Sequence, residues 1–214
     1  IEKNNMKKKE RPIFTDSHLL FDIDVNNMKD AFKQIAEKAK DIGVITKVDQ
    51  LINELEKREK VGTTGMSELF AIPHASSEDI SRPCVIAARF KQPIDWKSVD
   101  GKPVKFVICL LIPKAKLSDL HVKYLSRIAT ALLDDKFKDK LNGAKNPSTV
   151  VRLIRTALEH EAKPSTPTKA DLKKDEKILA DLKKSEKTDK PKKLIVGLSA
   201  CATGIAHTFM AQTA

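Results

Sequence analysis

Ala71-Ile72-Pro73-His74-Ala75 sets a histidine directly after a proline, at the end of a short apolar run. Proline fixes its own φ and stiffens the backbone that carries the ring. A neutral imidazole nitrogen held outward from such a backbone is a good nucleophile near pH 7. Arg58 lies sixteen residues before His74, and His121 falls in a later helical segment. An arginine fork and a second histidine suit a dianionic phosphoryl group on the nucleophilic nitrogen, because a guanidinium binds two phosphate oxygens through parallel N–H groups. A second reactive pattern is Cys201-Ala202-Thr203-Gly204-Ile205-Ala206-His207-Thr208. A cysteine between a strand and a glycine-containing turn into a helix meets backbone N–H groups that favour anions and depress the thiol pKa. Thr203, Gly204, His207 and Thr208 are the candidate phosphate-binding residues around Cys201. A nucleophilic histidine and a nucleophilic cysteine, separated by a charged tether, suggest a phosphoryl relay.

The elements that must hold these residues follow from hydrophobic period and end signals. Leu19 to Ile23 reads as a first strand. Asn26 or Asn27 can cap a helix from Met28 to about Asp41, with Ala31, Ile35, Ala36 and Ala39 on one face and Gly43 as its stop. A second helix spans roughly Lys47 to Lys60, and Thr63-Thr64-Gly65 forms a loop. Leu69 to Pro73, Val85 to Phe90 and Val104 to Ile112 read as strands, the last two joined through Pro93 and the Asp100-Gly101 turn. A long helix opens at Ser118 or Asp119 and runs to about Leu133, which puts His121 in its first turn, where the helix dipole favours an anion. After Asn142-Gly143, Pro147 begins a last helix. Strands interspersed with helices imply an α/β fold, a sheet with helices packed on it.

The chain has 214 residues, with 40 Lys and Arg against 29 Asp and Glu. The resulting charge of +11 does not read as nucleic-acid binding. Much of the excess sits in Lys7-Lys8-Lys9 and between Lys163 and Lys193, where no aromatic side chains offer stacking platforms. No run approaches the roughly 20 apolar residues that span a bilayer. Three widely spaced cysteines do not suggest a disulfide framework, and a reducing cytoplasmic setting fits. Cys84 and Cys109 lie in apolar strand patterns and read as inert core residues. The histidines show no ligand spacing, so no metal or cofactor is expected; His18 and His160 read as surface residues, and His207 as shaping the cysteine loop. The chain begins at Ile1 rather than Met, which suggests a fragment. The expected organisation is a disordered N-terminus (1–15), a folded phosphoryl-acceptor domain (16–161), a flexible charged linker (162–192) and the start of a second domain (193–214), with a new strand at Leu194 to Leu198 and a helix start near Ile205.

Arg58-Glu59, Thr64-Gly65, Ala71-Ile72-Pro73-His74-Ala75 and His121-Val122-Lys123-Tyr124-Leu125, taken in order and spacing, resemble the fructose/mannitol-type IIA domain of the bacterial phosphoenolpyruvate-dependent sugar phosphotransferase system. The resemblance covers residues 15 to 160. The stretch from Cys201 to Ala211 is similar to the start of a fructose-type IIB domain. These resemblances imply a mixed β-sheet flanked by helices on both sides, with His74 as acceptor of phosphate from the carrier HPr. They imply that Arg58 contacts the phosphoryl oxygens, that His121 hydrogen-bonds beside them, and that Cys201 is the next acceptor. They imply sugar uptake as the function, with a IIB domain and a membrane IIC permease as further partners. The setting would be cytoplasmic, at the inner face of the membrane through IIC. A regulatory, phosphorylation-dependent IIA-like protein is the alternative. Two departures stand out: Met66-Ser67-Glu68-Leu69-Phe70 replaces a glycine-rich run, and Ala202 replaces a proline.

Overall fold

The computed structural model describes residues 11–66, 68–159, 196–200 and 206–210. Its backbone falls into two units, 1–160 and 161–214. In the first, β1 (Leu19–Ile23), β2 (Phe70–Ala71), β3 (His74–Ser77), β4 (Cys84–Ile94) and β5 (Val104–Pro113) make one sheet. Its order is β1-β4-β5-β2, and β3 also pairs with β5. The β4–β5 pair is antiparallel, while β1 on β4 and both β2 and β3 on β5 are parallel. The sheet is therefore mixed, and β2 and β3 lie in succession along one edge of β5.

Both faces of the sheet are covered. β5 is a nearly unbroken apolar run, as a strand buried on two sides requires. Val107, Cys109 and Leu111 face a cluster with α1 (Met28–Asp41) and α2 (Val48–Val61), through Phe32, Ile35, Leu51 and Leu55. Phe106, Ile108, Leu110 and Ile112 face α3 (Leu117–Ala131), α4 (Asp135–Gly143) and α5 (Pro147–Glu159), through Ile128, Leu141, Val150 and Ile154. This is the α/β sandwich, helices on both sides, that the sequence implies.

End signals behave as their chemistry dictates. The Asn27 side chain accepts from the Asp30 N–H and caps α1. At its far end Gly43 adopts φ 70°, and the Val44 and Gly43 N–H groups return to the carbonyls of Ala39 and Lys40, which closes the helix in a Schellman turn.

Several expectations need correction. The ordered body starts before residue 16: Phe14 is 1% exposed, and the Ile13 carbonyl accepts the Val85 N–H at 2.8 Å. The strand expected over Leu69 to Pro73 is two short ones, because Pro73 has no N–H to give and instead accepts from Leu110 at 3.0 Å. His74 thus opens β3 rather than following a strand. α3 begins at Leu117, so His121 lies in its second turn. Between α3 and α5 the structure inserts α4, where the sequence suggests only a turn at Asn142-Gly143. Its nine residues are mostly charged, and its apolar signal is just Phe137 and Leu141. Asp134 caps it, accepting from the Lys136 N–H at 2.9 Å.

His18 is buried rather than on the surface, at 3% exposed. Its Nδ1 faces the carbonyl oxygens of Ile13 and Val85 at 3.2 and 3.1 Å, so Nδ1 carries the hydrogen and the ring is satisfied while neutral. Burial, with Arg82 nearby, pushes its pKa down. Cys84 and Cys109 are core residues as expected; burial pushes the Cys84 thiol up to about 12 and the Cys109 thiol up as well.

In the second unit, β6 (Val196–Ala200) and β7 (Ala206–Met210) pair antiparallel. The strand expected at Leu194 to Leu198 is described from Val196 onward, and residues 206–210, where a helix was expected to run on from near Ile205, are extended. A short helix draws most of its stability from a packed face, whereas a hairpin partner satisfies the backbone groups of 206–210 directly. Cys201, Thr203 and Gly204 lie outside the described residues, as do His160 and the linker over 162–192. His207 and Thr208 fall within β7.

Candidate functional site

His74 opens β3 on the edge of the sheet and is half-buried. Its ring is fixed from both ends. Nδ1 lies 3.0 Å from the Ile72 carbonyl oxygen, an acceptor, so Nδ1 bears the hydrogen. Nε2 accepts the Arg58 Nε–H at 2.8 Å. These two contacts select one tautomer, with the lone pair on Nε2 and aimed at the guanidinium. Desolvation is the largest influence on this ring and pushes its pKa down to about 4; Arg58 and His121 act in the same direction, and the Ile72 carbonyl opposes them. The ring is therefore neutral at pH 7.

Arg58 reaches His74 from the last turn of α2, and its Nη1–H donates to the Gly62 carbonyl at 2.9 Å, just past the helix end. His121 comes from α3 on the other side; its ring centroid is 4.9 Å from that of His74, at 57° between planes. Desolvation and the Arg58 charge push its pKa down too. Three residues far apart in the chain thus meet as the spacing suggested: two neutral imidazoles and one fixed cation, with no carboxylate hydrogen-bonded to any of the three among the described residues. A group of this kind can hold a dianion beside the Nε2 lone pair of His74.

The loop after α2 is held by residues to which sequence reasoning gave no role. Glu59 accepts from Thr63 Oγ1, Thr64 N–H and Thr64 Oγ1 at 2.9, 2.7 and 2.6 Å. The buried Trp96 donates its Nε1–H to Thr64 Oγ1 at 3.3 Å. The Thr64 carbonyl then accepts the Ile72 N–H at 3.0 Å. This chain of bonds joins the carrier of Arg58 to the residue whose carbonyl orients His74. The legible signal was a carboxylate four and five residues before paired threonines; Trp96, 32 residues from Thr64, gave none.

Fold and site together define an α/β domain that presents a neutral, arginine-bound histidine on the edge of a mixed sheet. A family model described as "Phosphoenolpyruvate-dependent sugar phosphotransferase system, EIIA 2" matches residues 12–157, and the chain belongs to that family. Over 206 residues it is 28% identical to the PTS system fructose-specific EIIABC component of Mycoplasma pneumoniae, covering 92% of this chain and 28% of that protein. Over 142 residues it is 32% identical to the PTS system fructose-like EIIA component of Escherichia coli, covering 66% of this chain and 95% of that one. Among solved structures, nitrogen regulatory protein IIA-Ntr from Neisseria meningitidis aligns with a TM-score of 0.62 at 24% identity, over 66% of this chain and 96% of that chain. The chain thus spans little more than a quarter, 28%, of the EIIABC relative. Among the described residues no helix is long and apolar enough to cross a membrane.

Proposed function

We propose that His74 Nε2 is the phosphoryl acceptor of a fructose-type sugar phosphotransferase system, charged by the phosphohistidine of the carrier HPr. The Arg58–His74–Ile72 arrangement carries this reading: a guanidinium on Nε2, a carbonyl on Nδ1, and a ring pKa of about 4 that keeps the lone pair available. The Nε2 lone pair attacks phosphorus in line. A new N–P bond forms at His74, the donor's N–P bond breaks, and its electron pair returns to the donor imidazole. Arg58 moves its N–H groups from Nε2 to the phosphoryl oxygens and, with the His121 ring beside it, stabilises the charge that spreads over them. His74 keeps its Nδ1 proton against Ile72, so the phosphorylated ring is cationic and leaves readily in the next transfer.

The onward acceptor is a IIB cysteine, for which Cys201 is the candidate, with Thr203, Gly204, His207 and Thr208 around it. The linker expected over 162–192, about thirty residues, would as a flexible chain have a root-mean-square reach near 30 Å, which would keep a tethered second site at high effective concentration. A membrane IIC domain would take the phosphate onward to sugar. A regulatory IIA-like role uses the same fold, as the likeness to a nitrogen regulatory protein illustrates. The transport reading has added support because the EIIABC alignment covers 92% of the chain, running past the domain into the segment that holds Cys201. The test is incubation with phosphoenolpyruvate, the general kinase of the system and HPr, followed by mapping of acid-labile phosphate. The expected label is on His74 and is absent from His74→Ala; label on that variant overturns the assignment.

A further inference from the structure

Residues 64–66 and 70–72 pair antiparallel as the two arms of a narrow hairpin. Gly65 and Ala71 form an antiparallel bridge, the Met66 N–H donates to the Phe70 carbonyl at 2.8 Å, and the Ile72 N–H donates to the Thr64 carbonyl at 3.0 Å. One arm is tied to Glu59, next to Arg58, and the other ends on the carbonyl that binds His74 Nδ1. The hairpin is therefore the mechanical link between the two halves of the site.

Its tip is strained. Glu68 and Leu69 take φ values of 57° and 78°, two successive side-chain-bearing residues in a region that favours glycine. Such a conformation persists only where the surroundings over-determine it. Here they do so at three points. The Asp100 carboxylate accepts the Glu68 N–H at 2.9 Å. The Leu69 carbonyl accepts the N–H groups of Lys105 and Phe106 at 2.8 and 3.0 Å. The Glu68 carboxylate is gripped by Lys138 of α4, whose side chain is 7% exposed and also binds Asp135 at 2.9 Å. A lysine is rarely so buried unless its charge is paired.

We propose that Lys138 is a positioning residue for His74: it grips Glu68, so holds the strained hairpin tip, and the hairpin holds the Ile72 carbonyl on His74 Nδ1. Lys138 touches neither the ring nor an arriving phosphoryl group, and it acts through tautomer and ring orientation. Its kinetic readout rests on the reading of His74 as acceptor; its spectroscopic readout does not.

The test uses the full chain and three forms: the natural sequence, Lys138→Met, and Lys138→Met combined with Glu68→Gly and Leu69→Gly. Removing Lys138 strands no buried charge, since the side chains of Glu68 and Asp135 are 52% and 81% exposed. The 15N shifts of the His74 ring at pH 7 report the tautomer directly. The natural chain is expected to show the Nδ1–H form alone, and Lys138→Met a mixture of both tautomers. Its rate of His74 phosphorylation by phospho-HPr is expected to fall roughly tenfold, the loss in kcat rather than KM, which corresponds to about 1.4 kcal/mol. Glycines at the tip remove the strain that Lys138 opposes, so the combined variant is expected to regain the single tautomer and most of the rate. A pure Nδ1–H spectrum in Lys138→Met overturns the proposal. So does a combined variant that stays mixed, or that fails to fold, because Lys138 would then serve the packing of α4 instead. Should the natural chain take no phosphate from HPr, the proposed function fails while the ring spectra still decide this point.

Discussion

The Arg58 Nε–H meets the His74 Nε2 lone pair at 2.8 Å, so the fixed cation of the site already rests on the nitrogen that is to react. The contact does two jobs. It holds the lone pair in one direction, and it opposes protonation of the same atom. Arg58→Ala is expected to slow phosphorylation of His74 about 10²–10³-fold. Arg58→Lys should recover little of this, because an ammonium has no planar fork to move from Nε2 to two phosphoryl oxygens. Single-turnover transfer from phospho-HPr measures both.

The pKa of His74, at about 4 against 6.5 for an ordinary histidine, makes a pH prediction with a definite sign. Between those values the unfolded chain binds a proton that the folded chain refuses. Stability is therefore full above pH 6.5 and declines as pH falls toward 4, by up to about 3 kcal/mol from this ring. His18 and His121 are depressed in the same direction and add to the decline. Urea unfolding at several pH values should show it, and His74→Gln should flatten the profile. The rate of phosphorylation should hold down to about pH 5, which a titration of the His74 ring signals by NMR can be set beside.

Gly65 is required by space rather than by φ. A Cβ there would lie 2.8 Å from the Ser98 Cα and 2.7 Å from its Oγ, and a backbone atom cannot swing aside. Gly65→Ala is expected to cost about 1–3 kcal/mol. It should also lower the transfer rate, since the hairpin that orients His74 must shift. Denaturant midpoint and transfer rate are the two measurements.

Arg89 is a buried arginine with a structural use. It pairs with Asp22 through Nε and Nη2, and its Nη1 reaches the carbonyls of Leu141, Asn142 and Ala144 at the end of α4. The guanidinium also stacks over Phe21, 4.1 Å from the ring centroid. Its hydrogen bonds, and then its charge, hold the Asp22 carboxyl below the usual carboxylate range. Arg89→Ala should destabilise by about 1–3 kcal/mol, because the carbonyls at the end of α4 lose their donor, while the Asp22 side chain, 41% exposed, keeps its charge in water. His74 lies elsewhere on the sheet, so transfer by the folded fraction should be nearly unchanged. Thermal unfolding beside the transfer assay separates the two effects.

What the sequence determined by itself was local or periodic. α1 ends where Gly43 supplies a left-handed residue, and β5 is legible as a buried strand because its apolar residues run unbroken from Phe106 to Ile112. His74, Arg58 and His121 were legible because the Pro73-His74 step marks a stiffly held ring, and because the order and spacing of the three resemble a known family. α4 was not legible, since a short charged helix carries almost no period, and its reason for existing is a tertiary one: Leu141 enters the core and Lys138 grips Glu68. The burial of His18 was equally hidden, because two carbonyls from Ile13 and Val85 had to converge before a polar ring could leave water. Tertiary structure alone decided which nitrogen of His74 holds the lone pair. A tautomer is set by the partners of both ring nitrogens at once, and those partners come from the end of one helix and from a hairpin arm that only folding brings to the same ring.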